Sequence, residues 1–555
     1  MAARVRAAFA HAWAGYESHA FGDDELKPVS NRTSIRWGNL GISLLDSLDT
    51  MLLLGLEHEY QRARHWVIEV LPERISNGGD VPFFEITIRG LGGLLGAHAL
   101  RPDSELLKVA LKLGSALLPA LTSSPSGIPF CSVHLQLGAA SCPDTDLGQS
   151  IPLAELGSIQ LEFSALAHAV GNPSLAEPSE RALRVLRRLP PLHGLFPTRM
   201  RPLRGGPASK EVSFGSGSDS FYETLLKRWL QSGQGSEHRW LRTMYRDSLH
   251  GLRRLLRRSH PSRLLFIAKA NGGEVGSVPR SHALREAHQF EHLSCFVPGM
   301  LALGAHHNAG HNATWEMETA RELLDTCTQL YDRHPSGLGP ERISFVTGGQ
   351  VRAAEAEAAA AGRYTRVLTT DDYDVIDPHW HLRPEYVESL YVLWRLEGRR
   401  WSYGASDDAA ADAAADARRA DYRQRGLRVL DAIETHCRTP SGYSGTRDGG
   451  RRHADGVRVL LTDRMESFFL AETLKYLFLL LSETHDTPID LDRMIFTTEA
   501  HALPVHTPSG GGTSEAESCV EGEDATDAAE EGEQLPTFPP WWHDDGMLDA
   551  MADDG

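Results

Sequence analysis

Leu382-Arg383-Pro384-Glu385-Tyr386-Val387-Glu388-Ser389 reads as the opening of a helix. Proline suits the first helical position, because its φ is already set and its missing N–H would go unbonded there. Glu385 and Glu388 are three apart and share one face of that first turn, with Arg383 just outside it. The helix dipole favours carboxylates at such a start, so capping alone accounts for both. The rest of the chain decides whether they do more.

Working outward, the octapeptide sits in a succession of helices. Apolar residues recur at helical spacing over residues 8–16, 40–56, 61–71, 87–100 and 105–121. The rhythm continues over 159–171, 179–189, 221–230, 238–258, 293–307 and 314–331, and again over 387–396, 421–437 and 465–482. Strand signals are short, as at 264–269 and 342–346. Many helices with modest loops predict an all-α fold of paired helices in a ring or solenoid. No strict repeat supports a regular array. Residues 348–362 and 405–418, rich in Ala with Glu or Asp, offer no apolar face and read as surface insertions.

At 555 residues, 41% hydrophobic and 23% charged, the composition is that of a globular protein. The net charge of −18 is concentrated in one place. Residues 506–555 hold fourteen acidic side chains and no Lys or Arg, which leaves the remainder at only −4. A nearly balanced body argues against nucleic acid as a partner. The domain expectation is therefore a body over 1–506 and an acidic, disordered tail over 507–555. Phe538-Pro539-Pro540-Trp541-Trp542 is an apolar island in that tail. No apolar run is long enough to span a bilayer, and Met1 to Ala10 shows no secretory signal. Six cysteines lack zinc-finger spacing and leave room for one or two bridges. Asn31-Arg32-Thr33 and Asn312-Ala313-Thr314 are glycosylation acceptors if the chain enters the secretory pathway.

Carboxylates in apolar surroundings recur. Glu85 and Arg89 are four apart, flanked by Val81 to Phe84 and Leu91 to Leu95. Such a carboxylate is either paired or has its pKa raised for acid catalysis. Asp219 and Glu223, four apart, follow the Gly-Ser turn Ser216-Gly217-Ser218, where, taken singly, Asp219 reads as a helix cap. Glu155 and Glu162, seven apart, are expected on one helix face. Glu466 and Glu472 are expected inside the most apolar helix, where a charge needs a partner or a purpose. No phosphate loop, nucleophile elbow or zinc-binding helix motif is present in the sequence. Half-buried carboxylates with Arg nearby are the inventory of glycoside hydrolysis: one acid for the leaving oxygen and one carboxylate for water or nucleophile.

Together these segments resemble glycoside hydrolase family 47, the class I α-1,2-mannosidases. The resemblance rests on Asp24 to Ser30, Leu44 to Met51, Phe84 to Arg89, Ser158 to Phe163, Asp219 to Lys227, His292 to Gly299, Arg383 to Ser389, Met465 to Tyr476 and Phe496 to Pro504. It implies an (α/α)7 barrel, an inverting mechanism and a bound calcium ion. It implies Glu85 as general acid, Glu385 as general base, Asp219 as a third essential carboxylate, and Glu341 as another carboxylate of the site. Arg89, Glu162, His292, Arg383, Glu388, Glu466 and Glu499 match sugar-binding or supporting positions. Thr498 matches the threonine that holds calcium, and Cys295 with Cys327 matches the family's disulfide.

The partners so implied are high-mannose N-glycans on glycoproteins, met by a monomer in the endoplasmic reticulum or Golgi lumen. A membrane association would require an anchor beyond this sequence. For an inverting pair the acid and base carboxyls should stand roughly 6.5–9.5 Å apart. One departure is Gly217, where many reticulum-type members carry the Arg that chooses the mannose branch. Gly217 also occurs in the degradation-enhancing mannosidase-like relatives, which makes recognition of misfolded glycoproteins the alternative function.

Overall fold

The computed structural model describes residues 1–272, 284–360, 371–398, 409–453, 456–483 and 489–506. The acidic tail with Cys519 and the 538–542 island lies outside the described residues, as do 361–362 and 405–408 of the presumed insertions.

Helix contacts close into a circuit. Ile42–Asp46 and Leu48–Leu54 touch Gly92–Leu100, followed in turn by Gln160–Val170, Asp219–Gln231, Val297–His306, Glu385–Leu396 and Leu474–Leu481, which returns to Leu48–Leu54. A second set packs outside it: Ala2–His19, Glu57–Glu69, Ser104–Thr122, Glu177–Arg187, Arg239–Leu255, Ala313–Asp332 and Ala409–His436. The chain alternates between the two sets, which makes the body a helical barrel.

The sequence explains which helices lie inside. Leu474–Leu481 is apolar almost all round and buries every residue except Phe478. Each buried Leu there contributes about 1.5–3 kcal/mol. Arg239–Leu255 instead buries one stripe, Leu241, Met244, Tyr245, Ser248, Leu249, Leu252 and Leu255, the spacing of an outer amphipathic helix. Close approach of inner helices needs Gly93, where an added Cβ would lie 2.2 Å from the Leu45 carbonyl oxygen.

Short antiparallel hairpins join the helices. The last, Met494–Phe496 with Ala502–Pro504, pairs Met494 with Pro504 and Phe496 with Ala502. It touches Gly92–Leu100, Gln160–Val170 and Asp219–Gln231, so it plugs the ring and sets its turn inside. Expected strands appear as Leu265–Ile267 and Arg342–Phe345. Disulfides join Cys131 to Cys142 and Cys295 to Cys327, while Cys437 is buried and free. Asn31 and Asn312 are both exposed, and Asn312 caps Ala313–Asp332 by accepting from the Trp315 N–H at 3.0 Å. Among the described residues, no helix is long and apolar enough to cross a membrane.

Several boundaries differ from the sequence reading. Pro384 is the cap residue and the helix starts at Glu385, because the Pro384 carbonyl already accepts the Glu388 N–H at 2.9 Å. Glu155 and Glu162 occupy two helices, Leu153–Gly157 and Gln160–Val170, since the backbone leaves helical geometry at Ser158 (φ −128°, ψ 11°). Glu466 precedes its helix rather than lying in it. The Ala- and Asp-rich run is the start of the long helix Ala409–His436, anchored by buried Ala415 and by Arg418 pairing with Glu397 at 2.8 Å. Alanine's high helix propensity extends the helix where no apolar stripe announces it.

Candidate active site

A cavity of about 480 Å³ lies over the hairpin turn. Its wall brings together Glu85, Arg89, Asp219, Arg383, Glu385, Glu388, Thr498 and Glu499, all singled out in the sequence. Glu155, Glu223 and Glu472 join them, with Phe84, Phe296 and Phe468 as apolar surfaces.

Glu85 ends the short turn Phe83–Glu85, and a π-helical turn, Ile86–Leu91, follows. The wider turn still brings Arg89 Nε to donate to Glu85 Oε2 at 2.7 Å. The same guanidinium donates to Ser467 Oγ at 3.1 Å, pairs with Glu499 and lies 3.7 Å from Asp46. Its plane sits 5.5 Å from the Phe468 ring centroid, and Arg383 lies 5.6 Å from that ring. Two arginines thus hold one aromatic platform at the cavity wall.

Asp219 opens the helix Asp219–Gln231 behind the turn at Gly217, whose φ of +88° is glycine territory. Burial pushes the Asp219 carboxyl up to about 7, and the nearby Glu385, Glu223 and Glu291 charges push the same way. It therefore keeps a proton near neutrality.

Glu385 is the opposite case. Burial pushes it upward, but His292 donates to it and Arg383 lies 3.7 Å away, which together hold it below its ordinary value. Arg383 is itself oriented by a fork onto Glu341, at 3.1 and 2.6 Å.

The floor is crowded with carboxylates. Lys227 pairs with Glu223 and lies 3.7 Å from Glu388. Burial pushes Glu388 up to about 8, against the pull of Lys227. Glu472 is raised well above its ordinary value by burial and by the charges of Glu499, Glu385 and Glu388. Beneath the floor Glu162 is fully buried, neither of its carboxylate oxygens has a hydrogen-bond partner among the described residues, and burial pushes it up to about 8.

Thr498 and Glu499 lie in the hairpin turn, where Ala500 takes a φ of +59°. His501 locks that turn. Its two ring nitrogens lie 3.2 Å from Asp49 and 3.1 Å from Asp46, all three side chains being fully buried. Lys475 completes the network, donating to Asp49 at 2.8 Å and to the Ala500 carbonyl at 2.6 Å.

Four predicted site residues stand behind the wall rather than on it. His292 and Glu341 orient Glu385 and Arg383, Glu162 lies under the floor, and Glu466 pairs with Arg36 and, at 3.3 Å, with Arg464. Sequence reasoning passed over His501, Asp46, Asp49 and Lys475 as site residues. Their signal was available: charged residues in apolar stretches that need buried partners.

The profile of glycosyl hydrolase family 47 matches residues 8–407 and 417–505. A mannosyl-oligosaccharide 1,2-alpha-mannosidase of Arabidopsis thaliana is 34% identical over 503 residues, covering 90% of this chain and 78% of that protein. The endoplasmic reticulum mannosyl-oligosaccharide 1,2-alpha-mannosidase of Homo sapiens is 37% identical over 507 residues, covering 90% of this chain and 63% of that protein. The solved structure of an alpha-1,2-mannosidase from Trichoderma reesei superposes with a TM-score of 0.74 at 26% identity, covering 91% of this chain and 99% of that one.

Proposed function

This chain belongs to glycosyl hydrolase family 47, and from that premise we propose that it is a calcium-dependent, inverting exo-α-1,2-mannosidase trimming high-mannose N-glycans on glycoproteins. The observation that carries the reading is the divergence of two carboxyls in one cavity. Glu385 is held ionised while Asp219 is held protonated up to about pH 7. Environments that push two carboxyls apart leave one able to take a proton and the other holding one, as acid–base chemistry in a single cavity requires.

Glu385 takes a proton from the water that attacks the anomeric carbon. The bond from that carbon to the leaving oxygen breaks, and the oxygen receives a proton from the acid side of the cavity. Glu85 occupies the acid position of the family pattern, and Asp219 is the carboxyl whose surroundings store a proton. Arg383 and Arg89 keep their carboxylate partners oriented, and Phe468 gives the sugar ring an apolar face to rest on.

The donor set fits calcium. Thr498 offers hydroxyl and carbonyl oxygens, and Glu388, Glu472 and Glu499 surround the floor in excess of the cations Lys227 and Arg89. Burial and mutual repulsion drive Glu472 toward protonation, which a hard dication would relieve. Calcium, when bound, supplies a centre for sugar hydroxyl oxygens.

We read the helical circuit as seven inner and outer pairs forming one catalytic domain over residues 1–506, with the tail 507–555 apart from it. Two disulfides suit an oxidising compartment, the lumen of the endoplasmic reticulum or Golgi. The test is mannose release from a free high-mannose glycan with and without a calcium chelator, resolving product isomers. Calcium-dependent release supports the reading. Folded, calcium-loaded protein that releases nothing but binds glycoproteins overturns it in favour of recognition of misfolded glycoproteins.

A further inference from the structure

The outer helix Arg239–Leu255 and the three residues after it hold seven arginines against one acid, Asp247. With about 3.6 residues per turn, Arg239, Arg242, Arg246, His250 and Arg253 fall on the face opposite the buried stripe, each at least partly exposed. At about 1.5 Å per residue the row runs about 21 Å. Its cations rest on uncharged groups. Arg242 donates to the Asn308 and Ala309 carbonyls at 2.6 and 3.2 Å, Arg246 bonds His311 Nδ1 at 2.7 Å, and Arg253 stacks 4.0 Å from the Trp315 ring centroid. Burial and the like charges of Arg246 and Arg239 lower the Arg242 pKa, as expected of a cation among cations. Arg187 widens the positive surface from the neighbouring helix Glu177–Arg187, its guanidinium 5.5 Å from the Trp240 ring centroid.

The described residues end beside this row. The His506 N–H donates to the Gln231 carbonyl at 2.7 Å, its ring stacks on His168 at 4.1 Å, and its pKa is pushed down to about 4 by burial and by His168, Arg228 and His238. His238 is the cap residue of Arg239–Leu255. The first acid beyond His506, Glu515, is nine residues on, and nine of the fourteen acidic residues fall within 515–533. Nine residues span at most about 30 Å, enough to bring Glu515 to the row. We propose that the acidic segment 515–533 of this chain lies against the arginine row of Arg239–Leu255 and neutralises it.

Like charges three or four apart work against a helix, so carboxylates laid over the row stabilise it. Guanidinium forks suit carboxylates in geometry as well as charge. Tethering holds the segment at a local concentration of about millimolar, so contacts that are individually weak suffice. An anionic membrane would meet the same charge but also needs apolar side chains to enter its interface. The exposed positions of the helix are Arg239, Thr243, Asp247, His250 and Arg253, which offer none.

The test measures the distance between two nitroxide labels on the full chain, one on Cys519 within the segment and one on Thr243→Cys in the helix. Cys437 is buried and the other four cysteines are in disulfides, so labelling is specific. At low salt a short, narrow distance distribution is expected. It should broaden and lengthen in about 1 M salt, where the screening length falls to about 3 Å. Arg239→Gln with Arg246→Gln should cause the same shift at low salt. A second variant, Glu515→Gln with Glu517→Gln, Glu521→Gln and Glu523→Gln, leaves the helical body untouched and should do likewise. A distribution that ignores salt and both variants overturns the proposal. So does binding of phosphatidylserine vesicles at low salt that is no stronger when the tail is neutralised, since the row would then be open to a membrane surface.

Discussion

His292 Nδ1 lies 2.8 Å from Glu385 Oε2, and on the far side His292 Nε2 lies 2.7 Å from the Tyr331 hydroxyl. An ionised Glu385 can only accept, so Nδ1 carries the proton and Nε2 accepts from the Tyr331 hydroxyl, whose oxygen in turn accepts from the Trp380 indole N–H at 3.2 Å. The chain of bonds fixes the tautomer and keeps Glu385 ionised. Removing it by His292→Ala should raise the Glu385 pKa and move the acidic limb of the kcat/KM profile to higher pH. An acidic limb that stays in place while kcat falls would show a purely steric role.

The basic limb belongs to the acid. With Asp219 pushed up to about 7, activity should decline as pH rises through neutrality, because the proton donor empties. Glu85→Gln should lower turnover by at least about a hundredfold, the low end for a lost acid–base group. The pH profile of Asp219→Asn then separates the two carboxyls. Loss of the limb near 7 assigns it to Asp219, and a surviving limb returns it to Glu85.

Thr498→Ala should weaken calcium affinity and substrate binding together, measured by calorimetry with each ligand. Unchanged calcium affinity would sink the assignment of Thr498 as a ligand.

His501 predicts a stability effect with a definite sign. Burial lowers its pKa, but Asp49 and Asp46 overcome that and raise it above its ordinary value. A folded-state pKa above the unfolded one contributes stability fully below about pH 6.5 and loses it as pH rises through the folded value. Thermal melts should therefore show this contribution fading as pH rises above about 6.5. His501→Ala should cost about 3–5 kcal/mol by removing one partner from each of the buried carboxylates Asp46 and Asp49, of which Asp49 keeps Lys475.

Cys295–Cys327 closes a separation of 32 residues and sits where the Ser389 hydroxyl donates to the Cys295 carbonyl at 2.5 Å. Replacing both cysteines by serine should cost about 2–5 kcal/mol in denaturant melts. Loss of activity at temperatures where the variant remains folded would show that the bridge also positions the helix Glu385–Leu396.

Much of the barrel was legible because helical periodicity is local. Residues 314–331 read as a helix and form Ala313–Asp332. The break of the 40–56 run at Ser47 was not legible, since no Pro or Gly marks it, whereas the break at Val70 is marked by Pro72 in the first turn of Leu71–Ser76. In the site, Glu85 stood out as a carboxylate with apolar flanks, Asp219 and Glu385 as carboxylates at helix starts. Glu155 joining the cavity while Glu162 drops beneath it follows from the backbone turn at Ser158, which no side-chain pattern announces.

The sequence by itself determined the helical architecture, the carboxylate inventory and the family, since periodicity and motif order are written along the chain. Only the tertiary structure decided which carboxyl keeps its proton and which loses it. That division depends on burial and on charges brought from distant segments: His292 on Glu385, Arg89 between Glu85 and Glu499, and His501 between Asp46 and Asp49. Electrostatic energies depend on distance in space and on exclusion of water, and neither is a property of the order of residues.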